Sequence, residues 1–199
     1  MEPMDARHVL ALRQILESTP WLQRAEDLAR SLRRTRSPGG LMLVGTPEEE
    51  PWHLAAHLSD ESRYAGLPQI APNLVRWSPP PDAPPHLSIG LERLTEARRG
   101  ETLFVVSPAE EAPASLLERV DDARRTGTTI LSLDRGDREL TSLAHDSISL
   151  PAGDAPLTLD GLQHLVSSAA GQQEDPSRPR LRDRVSRFLD VVSGPRSID

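Results

Sequence analysis

The segment from residue 100 to 127 constrains this chain most, because it predicts a strand, a turn and a helix in direct succession. Residues 102–106 (TLFVV) are an unbroken β-prone run, which is typical of a strand buried on both faces of a parallel sheet. A polar turn follows at 107–112, and Gly127 closes the helical pattern behind it. The segment therefore predicts a central strand–turn–helix unit of an α/β fold.

The start of this helix also has recognisable sequence signals. Pro113 is placed for a first helical turn, and Ser115 and Glu118 have the spacing of a capping box. Open α/β sheets bind ligands at the carboxyl end of a strand and the amino end of a helix. We therefore expect the turn at 107–112 to form part of the wall of any small-molecule site.

The rest of the chain repeats the alternation of strands and helices. Further strands are predicted at 41–45, 74–77, 128–133 and 147–150. Helices are predicted at 5–18, 21–34, 51–64, 87–98, 137–144, 158–169 and 181–192. Five strands separated by helices predict a doubly wound parallel sheet with right-handed crossovers.

A length of 199 residues suits one α/β domain with tails. We predict N-terminal helices at 1–36, packed on the domain or on a dimer partner. The α/β domain itself is predicted at 37–172. A polar linker and a C-terminal helix make up 173–199.

Composition excludes several classes of function. The formal charge of -7, with no basic cluster interleaved with aromatics, argues against a nucleic-acid surface. The chain has no cysteine, which excludes disulfides and thiol chemistry and fits a reducing cytoplasm. It has no lysine either, which excludes a Schiff base and a P-loop lysine. No apolar run is long enough for a membrane span, so we predict a cytoplasmic protein.

Three stretches together carry a resemblance to a known family. They are GETLFVVS at 100–107, ARRTG at 123–127 and TTILSL at 128–133, followed by Leu143-Ala144-His145-Asp146 and a last strand. In this order they are similar to the sugar isomerase (SIS) domain family, over about residues 21–170. The resemblance implies a three-layer α/β sandwich with a five-stranded parallel sheet of flavodoxin-like topology, a homodimer and phosphosugar binding.

The family's phosphate loop is only partly matched here. That loop follows the pattern Ser-x-Ser-Gly-x-Ser/Thr, and Ser107 is the one position that agrees. Ala109, Glu110 and Ala112 fall on the second Ser, the Gly and the last hydroxyl position. The turn after the first strand, usually rich in Gly and Ser, has the sequence GTPEEE at 45–50.

Both predicted ligand-facing turns are thus acidic. Two carboxylates about 5 Å from a phosphate dianion cost on the order of a few kcal/mol at an effective dielectric of 20. Either the site is altered and rejects phosphosugars, or these glutamates are solvated residues at helix starts. The predicted ligand-binding residues are Gly45, Thr46, Glu48, Ser107, Glu110 and Glu111.

His57 and Glu61 form the other candidate for chemistry, because an i, i+4 pair lies on one helix face. The pair resembles the phosphoheptose isomerase branch, whose first long helix carries a metal-binding His and a catalytic Glu. The branch's remaining ligands, a Gln and a His, have no clean counterparts, since Gln163 and His164 are adjacent. His53 and His145 show no partner at ligand spacing. We therefore predict no metal and no cofactor.

These observations predict a non-catalytic SIS-like binding or regulatory module with altered phosphosugar loops. The predicted partners are a second copy in a homodimer burying at least about 1,200 Å², a small carbohydrate-like ligand and a protein, with no nucleic acid and no membrane. The alternative is a phosphosugar isomerase of the phosphoheptose isomerase type, with Glu61 as base and His57 as metal ligand or acid. A protein-interaction scaffold is a third possibility with no motif of its own.

Overall fold

The computed structural model describes residues 20–150 and 157–172. The predicted helices at 5–18 and 181–192, and all of 173–199, lie outside the described residues. The strands are β1 (Leu41–Val44), β2 (Pro72–Val75), β3 (Thr102–Val106), β4 (Thr129–Asp134) and β5 (Asp146–Ser149). The helices are α1 (Trp21–Arg33), α2 (Trp52–Ala65), α3 (Glu92–Thr95), α4 (Ala114–Arg125), α5 (Arg138–Leu143) and α6 (Leu159–Ala170).

The five strands form one parallel sheet in the order β2-β1-β3-β4-β5. β1 lies between β2 and β3, so that Leu43 is opposite both Leu74 and Phe104. Phe104 is in turn opposite Leu131 of β4. This is the flavodoxin-like strand order, and the predicted five-stranded parallel sheet is confirmed.

Alternate residues of each strand enter two separate cores. Leu41, Leu43 and Phe104 lie on the face covered by α1, α2 and α6. Met42 and Val105 lie on the opposite face, which is covered by α3, α4 and α5. Because both faces of the sheet are buried, its central strands are continuous apolar runs rather than alternating ones. The architecture is therefore the predicted three-layer sandwich.

Helix α1 packs on its own domain. Ala25, Leu28, Ala29 and Leu32 recur at helical spacing, and all four are completely buried. They join the core made by α2, α6 and one face of the sheet. Ser31 also donates to the carboxylate of Asp146 at the start of β5, at 3.0 Å. This helix thus covers the half of the sheet that carries β5.

The predicted helix at 87–98 is wrong. The structure has a 3₁₀ turn at Pro85–Leu87 and only one helical turn in α3. Between them the backbone runs beside β2, because Arg76 donates its N–H to the carbonyl of Ile89 at 2.8 Å and bridges to Gly90. Extending β2 in this way removes the residues that would have continued the helix. Leu87, Leu91 and Leu94 have helical spacing in the sequence, and of these Leu94 packs in the core.

β2 begins two residues earlier than predicted, at Pro72. A proline is tolerated there because β2 is an edge strand, where a missing N–H breaks no ladder. Over the described ranges, no helix combines the length and the apolar character that crossing a membrane requires.

Candidate functional site

The sheet places its candidate ligand site between the carboxyl ends of β1 and β3. The chain leaves β1 toward β2 on one side and returns to β3 on the other, so the two loops diverge and leave a crevice. Val44 is opposite Val105, so Gly45 and Thr46 leave β1 beside the end of β3, and Ser107 directly follows β3. The structure therefore brings together the predicted residues Gly45, Thr46 and Ser107.

The loop after β1 folds back on the end of its own strand. Thr46 is 1% exposed; its N–H donates to the carbonyl of Glu49 at 3.0 Å, and its Oγ1 accepts from the N–H of Glu49 at 3.3 Å. A Cβ at Gly45 would overlap the carbonyl oxygen of Glu49 and lie 2.7 Å from Cδ of Pro51. The space that a glycine usually leaves for a ligand is thus filled by the loop itself.

The three glutamates of this loop do not cap α2, whose N-terminus has no side-chain cap. Glu48 and Glu49 are exposed. Glu50 is turned toward β2, where it accepts from Nε of Arg76 at 2.9 Å and from the N–H of Trp77 at 3.2 Å. Glu48 and Glu49 are thus solvated, and Glu50 bonds to Arg76 and Trp77 instead of the helix start.

The indole of Trp77 completes this arrangement. Its Nε1 donates to the carbonyl of Gly45 at 2.9 Å. On the other side of the ion pair, the guanidinium of Arg76 lies 4.7 Å from the centre of the Trp52 ring. The loop after β1 is thus fixed from its strand end to the start of α2.

The turn after β3 is held by bonds to β4 and within itself. Ser107 is completely buried, its N–H donates to the carbonyl of Leu133 at 2.9 Å, and its Oγ contacts the carbonyl of Ala109 at 3.5 Å. Glu110 and Glu111 are exposed. The N-cap of α4 is Pro113 and no side chain bonds there, so the predicted capping box of Ser115 is wrong. The helix begins at Ala114, one residue before Ser115, which places that serine inside its first turn.

A third carboxylate, Asp137, bonds to this turn. Its Oδ2 accepts from the N–H of Ala112 at 2.6 Å, and its Oδ1 accepts from Glu139 and Leu140 at 2.9 and 3.0 Å. It is 5% exposed. One side chain therefore caps α5 and occupies an N–H of the turn after β3. The sequence could have shown the cap, since Asp137 begins the predicted helix at 137–144, but not the bond across 25 residues.

The residues of the catalytic alternative lie on α2 and α6. The ring of His57 stacks on His53 at 4.9 Å and meets His164 of α6 edge-on at 4.8 Å. His53 therefore has a neighbour that the sequence analysis missed, although its i, i+4 spacing to His57 was visible. His145 accepts the N–H of Ile130 on Nδ1 at 2.9 Å. Within the part of the chain that the structure describes, no three His, Cys, Asp or Glu side chains could hold a metal ion.

Glu61 lies away from the crevice. α2 connects the carboxyl end of β1 to the amino end of β2, so it runs back along the sheet. Glu61 is nine residues beyond Trp52, or roughly 13 Å along the helix. Its carboxylate packs against Gly171, just after the end of α6. The structure therefore does not bring Glu61 together with Ser107.

Comparison with solved structures shows a shared fold. A presumed phosphosugar isomerase from Silicibacter pomeroyi DSS-3 matches with a TM-score of 0.57 at 15% identity, over 94% of this chain and 55% of the other. A presumed sugar-binding protein from Salmonella typhimurium LT2 gives a TM-score of 0.55 at 17% identity, over 92% and 53%. The E. coli CFT073 protein c3406, in complex with a sugar phosphate, gives 0.51 at 12% identity, over 92% and 86%.

The chain spans about half the length of the first two of these proteins. At such identities the likeness shows the fold alone, and it supports the SIS-like α/β fold predicted from the sequence. No protein family model matches the chain. No curated protein matches it either.

Proposed function

We propose that this chain is a non-catalytic, SIS-like binding or regulatory module whose crevice takes a small carbohydrate-like ligand without a phosphate group. One observation carries the proposal: groups that would hold a phosphate are bonded within the protein. The N–H of Ala112 donates to Asp137, the N–H of Thr46 donates to the carbonyl of Glu49, and the N–H of Glu49 donates to Oγ1 of Thr46. A neutral ligand needs fewer such donors and meets no charge repulsion.

The balance of energies favours rejection of a phosphate. To use the N–H of Ala112, a phosphate would have to displace Asp137 and then lie beside its carboxylate. Like charges about 5 Å apart cost roughly 3 kcal/mol per pair at an effective dielectric of 20. A hydrogen bond returns only about 1 kcal/mol net. We therefore expect phosphosugars to bind no tighter than about millimolar.

The position of Glu61 supports a module without catalysis. The alternative, an isomerase of the phosphoheptose type, needs its base within hydrogen-bonding reach of the substrate. Glu61 packs against Gly171 instead, on the opposite side of the molecule from the turn at Ser107. A single chain thus offers this base no access to a ligand in the crevice.

Calorimetry with glucose 6-phosphate as the probe tests the proposal. We expect no measurable binding to the wild type. In the variant A109S/E110G/A112S/D137N, which restores hydroxyls and removes two charges from the loop, weak binding should appear and strengthen as salt is lowered. The control E96Q/E118Q removes two exposed charges elsewhere and should bind no better than the wild type.

Micromolar binding of glucose 6-phosphate to the wild type would contradict this proposal. The half-buried Arg135, which directly follows β4 at the same edge of the sheet, would then be the first cation to test. Loss of the binding in R135Q would assign the phosphate to that guanidinium. Equal binding by the loop variant and by the charge control would also contradict the proposal, because net charge alone would explain it.

A further inference from the structure

Five exposed arginines lie at the amino-terminal edge of the sheet, opposite the crevice. We call them the arginine row, and they are Arg34, Arg36, Arg98, Arg99 and Arg124. They come from the end of α1, from the segment before β3 and from the end of α4. These segments lead into β1, β3 and β4, which are neighbours in the sheet, so the five residues share one edge.

Two members of the row are positioned by the backbone next to them. The N–H of Arg36 donates to the carbonyl of Gly100 at 3.1 Å, and Cδ of Arg36 would lie 2.9 Å from a Cβ at Gly100. In the same way Cβ and Nε of Arg99 would lie 3.4 Å from a Cβ at Gly127. Each arginine thus lies over the glycine that leads into the next strand. Gly100 and Gly127 lead into the paired strands β3 and β4, so the two arginines lie at the starts of neighbouring strands.

The guanidinium groups of the arginine row have no ion-pair partner among the described residues. Arg76, Arg93 and Arg125 each pair with a carboxylate. No member of the row forms an ion pair with any residue in the ranges 20–150 and 157–172. The carboxylate of Glu101 also lies at this edge, where it accepts the backbone N–H of Arg98 at 2.8 Å, but it is paired with Arg93. The five arginines therefore leave a local positive field at this edge.

We propose that the arginine row binds an acidic segment of a partner protein, a run of Asp and Glu side chains laid along this edge. Guanidinium groups suit this role because each one can bind a carboxylate through two parallel hydrogen bonds. Arginines at the starts of neighbouring strands can make several such paired hydrogen bonds to a single extended segment. The surface is independent of the crevice, which opens at the other end of the strands.

A nucleic acid fits this surface less well. The negative charge of the whole chain repels a long polyanion. Single-stranded nucleic acids are also bound by stacking of bases on aromatic side chains, and the row contains none. A short acidic peptide needs neither a long positive track nor aromatic rings.

Fluorescence anisotropy of a labelled octaglutamate peptide, titrated with the full chain at low salt, tests this inference. We expect saturable binding that weakens as salt is raised. R36Q/R99Q should raise the Kd by about tenfold, the sum of two exposed charge contacts. R36K/R99K keeps the charges but loses the two parallel hydrogen bonds that a guanidinium makes to a carboxylate. Its Kd should therefore lie between those of the wild type and R36Q/R99Q. The control R24Q/R138Q changes the net charge equally at the starts of α1 and α5, toward the other end of the strands, and should change the Kd less than about twofold.

Thermal melts of all variants confirm that each is folded at the temperature of the titration. No binding of the peptide to the wild type would overturn the inference. Equal losses in R36Q/R99Q and R24Q/R138Q would overturn it too, because net charge would then account for the affinity. Tighter binding of an eight-nucleotide oligothymidylate than of octaglutamate would replace the acidic segment with a nucleic acid.

Discussion

Asp137→Ala should lower the free energy of unfolding by about 3 kcal/mol. Loss of the N-cap of α5 costs about 1 kcal/mol. The N–H of Ala112, which is buried and bonded to Oδ2 of Asp137 at 2.6 Å, is left without an acceptor, and this adds about 1–3 kcal/mol. Urea denaturation followed by circular dichroism measures the difference.

Two further variants separate these contributions. Asp137→Asn keeps an oxygen for the N–H groups of Glu139 and Leu140 but loses the acceptor for Ala112, so we expect a loss of about 1–2 kcal/mol. Asp82→Ala removes a carboxylate from an exposed loop and should change stability by less than about 0.5 kcal/mol. A loss of stability in D137A no larger than that in D82A would show that Asp137 does not hold the turn after β3 to the start of α5.

Gly45→Ala should cost about 3 kcal/mol, the upper end of the range for overpacking. The added methyl would overlap the carbonyl oxygen of Glu49 and approach Cα of Glu50 to 3.1 Å, and neither backbone atom can move without displacing the whole loop. The shift should also break the bond from Trp77 to the carbonyl of Gly45. We therefore expect a change in tryptophan fluorescence together with the loss of stability.

Gly90→Ala is the matched control. There the new methyl would meet the carboxylate of Glu92, the free end of a flexible side chain that can turn away, and we expect a loss of less than about 1 kcal/mol. Similar losses in G45A and G90A would contradict the tight fold of the loop after β1.

The fold could be predicted from the sequence because it depends on local patterns. The apolar runs at β1, β3 and β4 predict strands buried on both faces of a sheet. The helices between them carry their apolar residues at helical spacing. The prediction failed at 87–98, where Leu94 is buried but Leu87 and Leu91 are only half-buried. A backbone bond between Arg76 and Ile89 decided the conformation there, and no local pattern contains it.

The site was less predictable, because long-range contacts decide which groups it leaves unbonded. The sequence identified Gly45, Thr46 and Ser107 through their place after two strands, and the structure brings them together. It could not show that the acidic group bonded to the turn after β3 is Asp137 rather than Glu110 or Glu111. Nor could it show Glu50 bonded to Arg76, since these residues meet only after β2 has joined β1.

The strand order has a consequence for synthesis of the chain. β1 pairs with β3, which is made roughly 60 residues later, and β2 covers only its other side. At translation rates of about 5–20 residues per second, the β3 side of β1 stays uncovered on the ribosome for roughly 3–12 s. During that interval LMLV at 41–44 is an apolar strand with an open edge. Transient protection of the nascent chain therefore matters most before Val106 has emerged.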